Sequence, residues 1–157
     1  MIVRTKKYQL PTKVYIKQAF MGLVAQQWWV APIYLAICAG YFWIPNWWWI
    51  IGATIALGLY FLFWLIQFAG VTQLEQGKFM FQKLSYEISS QQILIKLNNK
   101  QGMPMKWEQI KRARHGKNFF VLYASKAQLL YFPHKIFNNE NEIRFLDAVL
   151  KRKGYYK

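Results

Sequence analysis

The 157-residue sequence predicts a membrane α-helical hairpin joined to a small α+β domain, an antiparallel barrel or sheet capped by a C-terminal helix. Three observations predict it. Residues Gln18 to Leu74 hold no Asp, Glu, Lys, Arg or His, and Pro45-Asn46 divides this block in two. After Val71, short apolar segments alternate with polar residues at the period of strands. From Asn139 to Gly154 the chain carries the start, stripe and stop signals of an amphipathic helix.

Residues 1–27 form a basic N-terminal tail with an interfacial helix over Pro11 to Gln27. Ile16, Phe20 and Leu23 share one side of that helix, and Lys13 and Lys17 lie on another. A basic stretch ahead of an apolar run also fits a secretory signal, but this run is too long and no small-x-small cleavage site ends it. It reads as retained.

The apolar block of residues 28–72 fits two crossings of about 20 residues each. The first runs from about Trp28 to Ile44 and is slightly short. The second, from Trp47 to about Val71, is long enough to tilt or project beyond the lipid. Pro45 ends a helix and Asn46 favours the turn. Trp28 and Trp29 mark one interface, and Trp43, Trp47, Trp48 and Trp49 mark the other, as indoles anchoring at headgroup level do. Small residues four apart, Ala36/Gly40 and Gly52/Ala56, suit close backbone approach, within the hairpin or with another protein.

Orientation follows from the flanks. Arg4, Lys6, Lys7, Lys13 and Lys17 precede the hairpin, Lys78 and Lys83 follow it, and the connecting turn is uncharged, so both termini are expected in the cytoplasm. No ionisable side chain lies between the two interfaces, which argues against transport by this chain alone. The single cysteine, Cys38, excludes an intramolecular disulfide and a cysteine-based zinc site.

The remaining domain, residues 77–153, reads as strands. Leu84 to Ile88 and Ile93 to Leu97 flank a Ser-Ser-Gln-Gln turn; Met103 to Trp107 follows, with Pro104 marking an edge. A basic stretch runs to Lys117, then come strands Phe119 to Ala124 and Gln128 to Phe132. In the final helix, Asn139 is the N-cap with Glu142 three residues on, Lys151 to Lys153 fill the last turn, and Gly154 follows. Ile143, Leu146, Val149 and Leu150 form its apolar stripe. Antiparallel strands closed by one such helix follow the plan of a pleckstrin-homology (PH)-like barrel, one α+β arrangement among those this periodicity allows.

The order of two apolar helices, Tyr86-Glu87-Ile88 with Ile93-Leu94-Ile95, then Trp107-Glu108-Gln109-Ile110, Phe119-Phe120-Val121-Leu122-Tyr123 and Leu130-Tyr131-Phe132-Pro133 before a helix, resembles the bacterial YcxB-like family. Lys7-Tyr8-Gln9-Leu10 to Tyr15 is similar to the family's entry segment. The resemblance implies a two-helix anchor followed by a reduced PH-like domain in the bacterial inner membrane. It supplies no activity and no catalytic residue.

Reactive groupings are sparse. His115 and His134 stand on different segments, the six acids show no close carboxylate pair, and no Gly-rich phosphate loop occurs, so no metal, cofactor or catalysis is expected. Charge is the main functional signal. Residues 75–157 hold 16 basic and six acidic residues. Lys106, Lys111, Arg112, Arg114 and Lys117 group around one strand and its turn, a surface for anionic lipid headgroups or a partner protein, or a solvated face. A nucleic-acid role would need Phe119 and Tyr123 for stacking, but their strand claims them as core. The expectation is a non-enzymatic membrane-anchored scaffold or accessory subunit. The rival is a homo-oligomeric channel or transport component.

Overall fold

A computed structural model describes residues 1–155. Short strands β1 (Val3–Arg4) and β2 (Tyr8–Gln9) lead into helices α1 (Thr12–Gln26), α2 (Val30–Trp43) and α3 (Trp48–Val71), then a single turn, α4 (Glu75–Lys78). There follow β3 (Lys83–Ile88), β4 (Gln92–Asn98), β5 (Gln101–Lys106), β6 (Arg112–His115), β7 (Phe119–Tyr123), β8 (Leu129–Pro133) and the closing helix α5 (Glu140–Arg152).

The strands make two antiparallel sheets. One has the order β1-β3-β4-β5 with β2 also on β3, and the other is β6-β7-β8. Among the described residues no ladder joins them, so of the expected barrel or sheet the barrel is corrected to an open pair of antiparallel sheets. Between them the chain leaves the first sheet through a 3-10 turn at Trp107–Gln109 and starts the second at Arg112. Pro104 does sit on an edge strand, opposite Leu94, where a missing N–H costs no outer ladder bond.

Residues 3–9 belong to the domain rather than to a tail. Val3 and Arg4 pair with the end of β3 and Tyr8 and Gln9 with its start. At the kink between them, Thr5 keeps the ladder satisfied: its N–H donates to the Tyr86 carbonyl and its Oγ1 accepts from the Tyr86 N–H, each at 2.9 Å. Two-residue strands, Val-Arg and Tyr-Gln, are too short to show an alternation.

The inner faces of both sheets bury Leu84, Tyr86, Ile88 and Ile93 against Phe120, Leu122 and Phe132, and α5 adds Leu146, Val149 and Leu150. Trp107 is fully buried beside them and donates from Nε1 to the Ser89 carbonyl at 2.9 Å. The α5 signals act as expected. Asn139 Oδ1 accepts from the Glu142 N–H at 3.0 Å, and Gly154 takes the left-handed φ of 75° that favours glycine after a helix.

A second core lies on the outer face of β6-β7-β8. Val121, Tyr123 and Leu129 pack there against Tyr15, Ala19 and Leu23 of α1 and Phe68 of α3. Strand β7 reads Phe-Phe-Val-Leu-Tyr because it is covered on both sides. The face of α1 differs from expectation in the same way: Tyr15, Gln18, Ala19, Gly22 and Leu23 are buried, while Ile16 and Phe20 are only half-covered.

The two apolar helices run as a hairpin within two residues of the expected limits. Asn46 makes the turn, its Oδ1 accepting from the Trp48 N–H at 3.0 Å. Helix α3 is long and apolar enough to cross a membrane. Helix α2 reaches that standard only jointly with α1, from which it is bent by 65°. Fourteen residues of α2 rise about 21 Å at 1.5 Å each. The excess length of α3 enters the second core, where Phe68 is buried and Trp64 is half-covered.

Candidate functional site

The five basic residues singled out by sequence do not form one cluster. Lys106 ends β5, in the first sheet, opposite Gln92. Lys117 stands in the turn between β6 and β7, the end of the strand pair where His115 faces Phe120. Lys111, Arg112 and Arg114 gather at the other side, along the C-terminal half of α1. Alternation on β6 explains the grouping: Ala113 points into the main core, so Arg112 and Arg114 point out towards the helix.

Arg112 is a strut. Its Nη2 donates to the Gly22 carbonyl at 2.9 Å, and its guanidinium lies 4.8 Å from the centre of the Tyr123 ring. A cation there also complements the negative end of the α1 dipole. Tyr123 Oη donates to the Gln18 carbonyl at 3.1 Å, and Tyr15 Oη to that of Ala127 at 2.6 Å, so three side chains staple α1 to the sheet. Burial pushes the Tyr123 phenol above its ordinary pKa, against the lowering pull of Arg112 and Arg114. Its ring is covered by α1 and offers no open face for a base to stack on.

Lys111 and Arg114 remain exposed. Arg114 Nη1 approaches Met21 Sδ at 3.9 Å, and Lys111 lines a hollow with Gly22, Leu23 and Gln26. Lys126 borders the same hollow, with its Nζ 4.9 Å from the Trp64 ring centre. Lys126 falls in the link between the strands expected at Phe119 to Ala124 and Gln128 to Phe132, and only the return of α3 to the domain places it here. Two of the acids pair away from this face: Glu87 holds Arg4 and Lys96, and Asp147 holds Lys151.

The exposed side of α1 is graded. Lys13 and Lys17 are open to solvent near its start, and Met21, Val24 and Ala25 are open near its end, one turn before Trp28 and Trp29. Beyond them the hairpin turns its apolar side chains outward, ending in Trp43, which is 91 % exposed, with Trp47, Trp48 and Trp49. Of the small residues, Gly40 lies under the Trp49 ring, whereas Gly52 has open space around it and Ala36 and Ala56 are exposed.

The two histidines, on different segments, come together with ring centroids 5.8 Å apart. The His115 ring stacks on Phe120 with centroids 4.3 Å apart and its Nδ1 is 3.4 Å from Asp147. Burial, helped by neighbouring His115, lowers the His134 pKa. Among the described residues no group of three or more His, Cys, Asp or Glu could hold a metal ion.

No curated protein and no solved structure matches this chain. Residues 88–150, from the end of β3 to the last turns of α5, match the model of the YcxB-like protein family, the same family that the order of segments resembles.

Proposed function

We propose that the α2–α3 hairpin lies in the bacterial inner membrane with both termini in the cytoplasm, and that the sheets and α5 form an open PH-like module that binds rather than catalyses. Its ligand surface is the face of Lys111, Arg114 and Lys126, laid on anionic lipid headgroups. The observation that carries this reading is convergence: these three bases surround the end of α1 one turn ahead of Trp28 and Trp29, where the outward apolar surface begins. Basic residues at that level attract anionic lipid by about 1 kcal/mol each. The Lys126–Trp64 contact pairs a cation with an indole, as occurs at an interface.

The test uses the full chain in nanodiscs. With anionic lipid, Lys111 and Lys126 should react several-fold more slowly with an amine reagent than in neutral discs, while Lys100 and Lys135 react alike in both. Salt should remove the protection, because screening shortens the reach of each charge. Changing Lys111, Arg114 and Lys126 to Gln should weaken docking by about 3 kcal/mol, somewhat over a hundredfold. Equal rates in both lipids overturn the headgroup reading. Orientation is checked in a Cys38→Ser background. Cysteine at Asn46 should label from outside the cell, and cysteine at Lys7 or at Lys157, which lies outside the described residues, should not.

A second reading rests on the open Gly52–Ala56 face, which suits close approach of another hairpin. On that reading the chain assembles with itself or with a partner subunit, as a channel or transport component requires.

A further inference from the structure

The inner face of the first sheet extends beyond its cover. Register sets Tyr86, Ile95 and Met103 side by side across β3, β4 and β5, so their side chains share that face. Tyr86 is 5 % and Ile95 3 % exposed, but Met103 is 51 % exposed. These three line a cavity of about 210 Å³, together with Leu130 of the second sheet and with Leu74 and Met80 of the segment after α3. Among the described residues no Asp, Glu, Lys, Arg or His lines it. Three of the five methionines of the chain, Met80, Met103 and Met105, do, and unbranched thioethers repack around guests of different shape. Leu74, which is 63 % exposed, and Met103 stand where this lining meets solvent. Apolar side chains held open beside an apolar cavity mark a binding site.

We propose that this cavity takes the acyl chain of a single-chain lipid, a fatty acid or a lysophospholipid, with the polar head left in water beside Leu74 and Met103. An apolar cavity of about 150 Å³ stays dry and accepts a six-carbon aromatic guest, so this one encloses roughly eight carbons of a chain. A two-chain lipid would leave its second chain in water. The absence of charge from the lining selects for hydrocarbon and leaves the head unread. Position names the source of the guest. Val71, the last residue of α3, lines the cavity, and so do Ala127 and Gln128, from the link that carries Lys126. The cavity therefore adjoins the proposed headgroup face, where single-chain lipids exchange with the bilayer. The site itself belongs to the domain, and only the route of the lipid into it rests on the membrane placement of the hairpin.

Photolabelling of the full chain in nanodiscs tests it, with dodecanoic acid or lauroyl lysophosphatidylcholine bearing a diazirine near the end of the chain. Labelling of Met80, Met103 and Met105 should saturate at a single probe per chain and be displaced by excess dodecanoate. Labelling of α2 and α3, by contrast, should rise in proportion to the probe. Met103→Glu sets a charge against the bound chain and should cut labelling of Met80 and Met105 roughly tenfold, whereas Met103→Leu should retain it. Both variants change an exposed side chain, so both should melt with the parent. If one head alone labels saturably, the site stands and that head is its source. Labelling of the three methionines that only rises in proportion, that dodecanoate does not displace, or that Met103→Glu leaves unchanged overturns the proposal. If the methionines fail in this way while α2 and α3 label, only this inference falls. If the methionines label saturably and α2 and α3 do not label at all, the site stands and the membrane reading falls.

Discussion

The α2–α3 hairpin and the two-sheet domain are both rich in apolar residues, and they place them in opposite directions. No residue of α2 is buried, and α3 buries only Ala53 and Phe68. In the domain, Trp107, Phe120 and Phe132 are wholly enclosed. Backbone bonds in the hairpin close within each helix, and the bond from Tyr34 to Thr54, at 3.0 Å, crosses between the two. Its cohesion therefore depends on the surrounding medium, whereas the domain carries its own. Helix α3 belongs to both, since its early residues pair with α2 and its last turns are core.

That division is most sharply tested inside α3. Phe68→Ala removes a ring from the second core and should cost about 3–5 kcal/mol. Leu59→Ala, on a position 61 % exposed, should stay within about 0.5 kcal/mol in detergent micelles. Denaturant titration of both variants measures the contrast. Equal costs would mean that the outer face of the hairpin is packed against protein.

The staple of α1 to the sheet gives the next largest effect. Arg112→Gln loses a charge-assisted bond to the Gly22 carbonyl and the contact with Tyr123, and should cost about 2 kcal/mol. Arg112→Lys should recover little of it, because an ammonium lacks the planar fork that reaches the carbonyl and covers the ring together. The same change should leave headgroup docking intact if Lys111, Arg114 and Lys126 carry it. A loss of docking with unchanged stability would return Arg112 to the ligand surface.

What the sequence made legible follows the strength of the periodic signal. The hairpin, strands β3, β4, β7 and β8, and the cap of α5 could be read from charge, alternation and N-cap chemistry. Strand β6 could not, because Arg-Ala-Arg-His offers one apolar residue, Ala113, to the core. Closure into a barrel is a property of ladders between distant strands, which no local pattern encodes. Of the proposed headgroup face, Lys111 and Arg114 stand out by charge in the sequence. Arg112 stands out with them, and its bond to the Gly22 carbonyl, 90 positions away, has no local signal. Lys126 owes its placement to the meeting of α1, α3 and the sheet.

A smaller perturbation separates the two regions by cooperativity. Asn139→Ala removes the oxygen that caps α5 and should cost about 1 kcal/mol. The loss should appear in the unfolding of the domain and leave the helicity of the hairpin unchanged in micelles. A parallel loss of hairpin helicity would show that α3 transmits the unfolding of the domain into the apolar region, and the two could no longer be treated as independent.

The smallest expected effect decides whether the hairpin faces lipid or another chain. A Cβ added at Gly52 meets nothing within 4 Å, whereas one added at Gly40 would lie 2.9 Å from the Trp49 ring. Gly40→Ala should therefore force the indole aside and destabilise the hairpin. Gly52→Ala should be neutral or gain up to about 1 kcal/mol, the ordinary advantage of alanine over glycine within a helix. Melting in micelles and cross-linking in membranes measure the two effects together. If Gly52→Ala instead lowers stability and abolishes a cross-linked species, the open Gly52–Ala56 face is occupied by a second hairpin. The apolar surface of this region would then be protein-covered like that of the domain, through partners in trans.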